Sequence, residues 1–159
     1  VILLLPGAAS RMRATLALVL TAAVALAVAA ADAELANGYR QAARDIAAGK
    51  PATARTIWFV GHWGWQYYAE QAGLRRLPQR PEGIAPGDVL AFPREVHHEQ
   101  IDPAVAARFR SWRGVRLPRR IPLRTHMQGS GLYSMLNGDV PYAACRRSYL
   151  DIIDLRIAR

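Results

Sequence analysis

The chain has 159 residues and a mass of 17.5 kDa, room for one domain with a real core and too little for a multi-domain enzyme. Its 52% hydrophobic and 21% charged residues exclude intrinsic disorder, and 12 Gly with 10 Pro exclude collagen-like or linker-like sequence. The formal charge of +9 rests on 20 Arg and one Lys, Lys50, a bias that GC-rich coding produces as readily as function, so basicity by itself names no partner. The single cysteine, Cys145, excludes a disulfide within the chain and a cysteine-based zinc cluster.

The chain opens on Val1 rather than Met, with an apolar run Val1 to Leu5 that ends at Pro6-Gly7, and it reads as cut from something longer. Residues 1–13 are the end of a preceding hydrophobic segment and a short basic loop, Pro6 to Arg13, carrying Arg11 and Arg13. Ala14 to Ala31 are then 18 uncharged residues, nine of them Ala, that span roughly 27 Å as a helix, just enough for a bilayer core of about 30 Å. Two readings compete, beside the plain one of a buried helix in a soluble protein. One is a transmembrane helix over 14–31, whose Ala-rich surface suits packing against other helices. The other starts at Met12 and makes Leu16 to Val28 the h-region of a signal peptide, with Ala29-Ala30-Ala31 as the cleavage site. Both keep Arg11 and Arg13 cytoplasmic by the positive-inside rule and put residues 32–159 outside the inner membrane.

Leu35, Tyr39, Ala42, Ala43 and Ile46 fall at helical spacing, so 33–48 reads as an amphipathic helix continuing the apolar segment, weakened at Asn37-Gly38 and stopped by Lys50-Pro51. Thr56 to Val60 is a β-branched and aromatic run fit for a buried strand. Gly61 turns the chain into a short helix over 62–72 ended by Gly73, and Gly87-Asp88 leads into a second strand closed by Pro93. Asp102-Pro103 is an N-cap and first helical residue, predicting a helix from Pro103 to Phe109. Beyond it the pattern is strand-like, with turns at Gly129-Ser130-Gly131 and Asn137-Gly138-Asp139, and with Ile153, Leu155 and Ile157 alternating with Asp154 and Arg156. The expected class is α/β: one membrane-type helix followed by a small mixed-sheet domain over 32–159.

The densest chemistry is Gly61 to Tyr68, where a strand gives way to a helix. His62, Trp63, Trp65, Gln66 and Tyr67 there could stack on and hydrogen-bond a sugar in the crevice that α/β folds place at strand ends. The simpler use of Trp63 and Tyr67, four apart, is to pack one helix face into the core. Neither nucleotide fingerprint is present, and no cofactor is expected.

The stretch Ala36 to Arg40, then Trp58 to Tyr68 with Ala72-Gly73, then Pro86 to Leu90, resembles the C-terminal extracytoplasmic region of bacterial family 39 glycosyltransferase-like polytopic membrane proteins. Gly131-Leu132-Tyr133 and Pro141-Tyr142 are similar to its closing part. The resemblance covers most of 32–159. It implies a membrane enzyme that moves a sugar from a polyprenyl-phosphate donor to a lipid, glycan or protein acceptor. It also implies a catalytic carboxylate in a first extracytoplasmic loop outside this sequence, which leaves this part a non-catalytic supporting or capping domain. The alternative is a secreted or anchored periplasmic glycan-binding module that starts at Met12.

Glu95-Val96-His97-His98-Glu99 groups metal-capable side chains, yet adjacent histidines do not share a helix face, and a solvated loop without metal is the expectation. His126 has no sequence neighbour to work with, and nothing in sequence brings Cys145 to His62 as nucleophile and base. Arg108, Arg110, Arg113, Arg116, Arg119, Arg120 and Arg124 form a stripe with Phe109 and Trp112 interleaved and no acid from Pro103 to Gly138. Beside a bilayer such a stripe suits lipid or polyprenyl phosphate, or it is a plain solvated face; the compartment disfavours nucleic acid.

Overall fold

The structure is a computed structural model that describes residues 8–127, 130–131, 140, 142–144 and 146–159. The elements in chain order are helix α1 (Ala8–Ala48), β1 (Ile57–Phe59), α2 (Trp63–Gln71), β2 (Arg75–Arg76), β3 (Val89–Pro93), α3 (Pro103–Ala106), β4 (Phe109–Pro118), β5 (Leu123–Arg124), β6 (His126–Met127), β7 (Ser130–Gly131), β8 (Ala143–Ala144) and β9 (Tyr149–Ala158). The fold is α/β, as expected.

At 41 residues α1 is about 62 Å long, and it changes character along its length. Met12, Leu16, Leu18, Val19, Leu20, Val24 and Leu26 are exposed, whereas Ala31, Leu35, Tyr39, Ala42, Ala43 and Ile46 are buried. The bare half is long and apolar enough to cross a membrane. The other half is a wall of the domain core. The helix already includes Arg11 and Arg13, so the expected loop over Pro6 to Arg13 is corrected: from Ala8 onward that stretch is helical. Nor does Asn37-Gly38 interrupt α1, because a Cβ at Gly38 would stand 3.2 Å from Leu117 Cδ2, and the close helix-to-strand approach that glycine permits outweighs its poor helix propensity.

Five strands form the main sheet in the order β2-β1-β3-β9-β4. β1 runs parallel to both β2 and β3, with Phe59 opposite Arg76 on one side and Ala91 on the other. β9 is antiparallel to β3 and β4, with Leu155 opposite Ala91 and Arg113. The alternation read from 153–157 holds for Ile153 and Leu155, buried under α1 and α2 with Ile57, Phe59 and Val89, and stops at Ile157, which is only partly buried. The other face is covered at one end by α3 and the 77–86 loop, through Trp58, Ile84, Leu90, Val105 and Phe109.

Two predicted boundaries shift. The N-cap at Asp102 forms, its carboxylate accepting the Ala104 N–H at 2.7 Å, but α3 ends at Ala106 and Phe109 opens β4, where the sheet buries its ring. In α2 the residues that reach the core are Trp65 and Ala69, not Trp63 and Tyr67 as the spacing suggested. Trp65 wins because its ring meets Tyr39 and Phe59 while its indole N–H donates to the Val60 carbonyl at 2.9 Å, which fixes the helix rotation. Of the predicted turns, Gly129 and Asn137 to Asp139 lie outside the described residues, as do Val1 to Leu5 and Cys145. Leu132-Tyr133 and Pro141 lie outside them too, and so does the side chain of His126.

Candidate functional site

At the carboxyl end of β1 the chain must reverse sharply to enter α2. Gly61 makes the reversal with φ +106°, and a Cβ there would stand 3.0 Å from Trp65 Cδ1 and Val96 Cγ1. Two residues on, Trp63 opens α2 in the left-handed region with φ 56°, a conformation that costs a non-glycine residue about 1 kcal/mol or more. Its side chain is 46% exposed. The chain from β1 leaves toward β2 while the chain from β3 leaves for the opposite side of the sheet, so the crevice lies where connections diverge.

The loop after β3 closes one wall. The His62 N–H donates to the His97 carbonyl at 3.2 Å, and the His97 ring lies against both His62 (6.0 Å) and Trp63 (6.1 Å), whose own rings are 6.5 Å apart. Glu99 Oε1 accepts from Arg76 Nη2 at 2.8 Å and stands 3.9 Å from His62 Nε2. A cleft of about 610 Å³ opens beside this trio, between the segments 76–80 and 99–103. Leu77, Pro78, Ile101 and Pro103 give it apolar wall, and Arg80, Gln79 and Gln100 add polar atoms. Arg76 and Arg80 balance Glu99 and Asp102 in formal charge. Interleaved donors and acceptors over apolar patches fit a hydroxylated, uncharged ligand better than a strongly charged one.

Of the residues predicted to hold a ligand, only His62 lines this cleft. Trp63 belongs to the ring stack beside it. Trp65 is 1% exposed and belongs to the core. Gln66 is tied to Glu70 at 2.9 Å on the outer surface of α2, and Tyr67, 60% exposed, packs edge-on against Tyr68. Arg76 and Arg80 were missed because nothing local marks them; Arg76 meets Glu99 across 23 residues. The run from Glu95 to Glu99 disperses. Val96 is core, Glu95 pairs with Arg147 at 2.6 Å, His98 packs on Phe92 at 4.5 Å, and Glu99 faces Arg76. Among the described residues no three His, Cys, Asp or Glu side chains gather as metal ligands.

Two buried carboxylates organise the surroundings. Asp88 accepts the N–H groups of Arg55, Thr56 and Ala85 and the Trp58 indole N–H, all within 3.1 Å. Burial alone would raise its pKa, but these four donors hold the carboxyl below the ordinary range. Asp151 goes the other way. Burial pushes it up to about 6, with the nearby Glu95 charge adding, against the Tyr39 hydroxyl and the Ile152 and Glu95 N–H groups that favour its charged form.

The arginine stripe is not one surface. β4 is the edge of the main sheet and carries Arg110, Arg113 and Arg116, a charged edge of the kind that discourages strand pairing. Arg113 lies over Trp112 at 4.8 Å, and a Cβ at Gly49 would stand 3.5 Å from its guanidinium, which places it at the C-terminal end of α1. Arg108 reaches the Ile84 carbonyl at 3.5 Å on the α3 side. The other end of the stripe sits elsewhere. Glu34 accepts the N–H groups of Arg120 (2.5 Å) and Ile121 (3.0 Å), and Asp32 accepts from the buried Thr125 hydroxyl at 3.1 Å. Residues 119–125 are thereby clamped to α1 where its bare half ends, so Arg119, Arg120 and Arg124 are membrane-proximal if α1 inserts, and Arg108, Arg110 and Arg113 are remote from it. No protein-family model, curated protein or solved structure matches the chain.

Proposed function

We propose that this chain is a membrane-held accessory domain of the glycosyltransferase-like class its sequence resembles, lying outside the bacterial inner membrane and supporting or capping a site where a sugar is passed from a polyprenyl-phosphate donor. The observation that carries the reading is the division of α1: one unbroken helix is bare and apolar over its first half and part of the domain core over its second. A domain built on its own membrane helix is held at a fixed height over the bilayer, which is what a cap requires. The cleft beside His62 then holds part of a glycan, with Arg76 and Glu99 meeting its hydroxyls. The test is a pair of reporter fusions after Arg159, expressed in bacteria: alkaline phosphatase active and a cytoplasmic reporter silent supports the reading, and the reverse overturns it.

A second reading, a periplasmic glycan-binding module released from a signal peptide, is favoured by one detail. The buried stripe of α1 begins at Ala31, so cutting after Ala29-Ala30-Ala31 would strip the bare half and leave most of the core stripe. The mass of the chain recovered from cells separates the two: an intact α1 supports the anchor, and a chain beginning at Asp32 supports the module.

A further inference from the structure

The helix and the edge strand do not close fully on each other. Between α1 and β4 runs a groove of about 620 Å³, and the α1 residues on its wall, Ala30, Ala33, Asn37, Gly38 and Gln41 among them, form a helical stripe beside the buried one. Small side chains keep the groove open, and Val115 and Leu117 with Ile121 make the opposite wall apolar. Its lower end, Ala30, lies inside the bare apolar run, so the groove continues the surface that would face acyl chains.

The charged groups are graded along it. Arg120 is at the level of Glu34, whose carboxylate is already engaged by the N–H groups of Arg120 and Ile121. That level is about 5 Å beyond Ala31 along the helix, within a headgroup layer of roughly 5–8 Å. Arg116 precedes Leu117, which packs against Gly38, and so stands one helical turn further out. Both arginines are exposed and line the groove. The remaining acid on its wall, Asp45, is tied to Gln41 at 2.8 Å at the far end, about 22 Å from Ala30. Apolar wall at the bilayer, Arg120 at headgroup height with Arg116 a turn above it, and two acids, Glu34 held by two backbone N–H groups and Asp45 far above, match one kind of molecule.

We propose that this groove is a binding site for a single anionic phospholipid of the surrounding bilayer, its acyl region along Ala30 and Ala33 and its phosphate between Arg120 and Arg116. The inference rests on the reading that α1 lies in the membrane. A lipid seated there would fill the space between helix and edge strand and fix the angle at which the domain stands on the bilayer.

The full chain, reconstituted in vesicles of phosphatidylcholine with phosphatidylglycerol and extracted in mild detergent, is examined for retained lipid by native mass spectrometry. One phosphatidylglycerol should stay bound per chain in preference to phosphatidylcholine. The double variant Arg116→Gln/Arg120→Gln should lose it at least about tenfold, since each arginine contributes on the order of fivefold near an anionic headgroup. Ala33→Leu, which narrows the groove without touching charge, should lose it too, while melting temperatures stay at the parent value. Equal retention of the two lipids, or undiminished phosphatidylglycerol in the double variant, overturns the proposal. Resistance to carbonate extraction is read separately: if the parent chain is released from vesicles, it is the membrane reading that fails.

Discussion

Tyr39 on α1 donates its hydroxyl proton to Asp151 on β9 at 2.8 Å, a buried bond between residues 112 apart in sequence. It ties the core half of α1 to β9, the strand that lies between β3 and β4 in the main sheet. Asp151 also accepts from the Glu95 N–H, at the start of the loop that carries His97 and Glu99 to the cleft. One carboxylate therefore touches α1, the sheet and the wall of the candidate site.

The raised Asp151 pKa makes stability depend on pH. Its folded value of about 6 exceeds the unfolded value near 3.9, so between these pH values the folded state binds more protons than the unfolded one. The sign follows: this contribution is fully present below about pH 4, falls as pH rises to about 6, and is flat above, with a total of up to about 3 kcal/mol. Asp88, with its pKa lowered, acts only as pH falls through and below the ordinary carboxylate range. Thermal melts from pH 4 to 7 should show the decline in the parent chain and its loss in Asp151→Asn. An unchanged slope in that variant refutes the assignment.

Tyr39→Phe removes a donor from a buried carboxylate without removing the ring. It should cost about 1–3 kcal/mol at pH 7.5 and much less at pH 4, where Asp151 is protonated. Denaturant unfolding at the two pH values checks this; equal losses at both would mean that the hydroxyl has no special bearing on the charged form.

The helical spacing of Leu35 to Ile46 and the alternation of Ile153 and Leu155 made the two main walls of the core legible, because burial on one face imposes a period. Gly61, Gly73 and Pro103 marked their turns and the α3 start through backbone chemistry alone. The orientation of α2 was not legible. Trp63 with Tyr67 and Trp65 with Ala69 both offer four-residue spacing, and the choice was made by Tyr39 and the Val60 carbonyl, which are tertiary partners. The same limit hid the cleft: His62 stood out beside its aromatic neighbours, while Arg76 became relevant only once the parallel pairing of β1 and β2 brought it to Glu99. The arginine stripe, one run in sequence, divides because β4 extends along α1 from its C-terminal end near Gly49 to the level of Gly38.

Asp88 holds the start of β1, the turn at Ala85 and the Trp58 indole together. Replacing it by Ala strands four N–H donors in the interior, each of which costs about 1 kcal/mol or more when left unmade, so a loss of about 3–5 kcal/mol is expected. Asp88→Asn retains an acceptor and should lose less. Chemical denaturation of both variants gives the comparison, and similar small losses would show that water replaces the carboxylate freely.

Trp65 and Trp63, two residues apart on one turn, should respond in opposite ways. Trp65 fills the space between Tyr39 and Phe59, so Trp65→Ala should cost about 3–5 kcal/mol. Trp63 is half exposed and sits at φ 56°, where glycine is unstrained. Trp63→Gly should therefore leave stability within about 1 kcal/mol of the parent or raise it, because relief of backbone strain offsets the lost stacking on His97. If the cleft holds a glycan, the same variant should weaken oligosaccharide binding measured by isothermal calorimetry, since the ring stack that steadies His62 is gone. A chain destabilised as much by Trp63→Gly as by Trp65→Ala would return Trp63 to the core and remove it from the site.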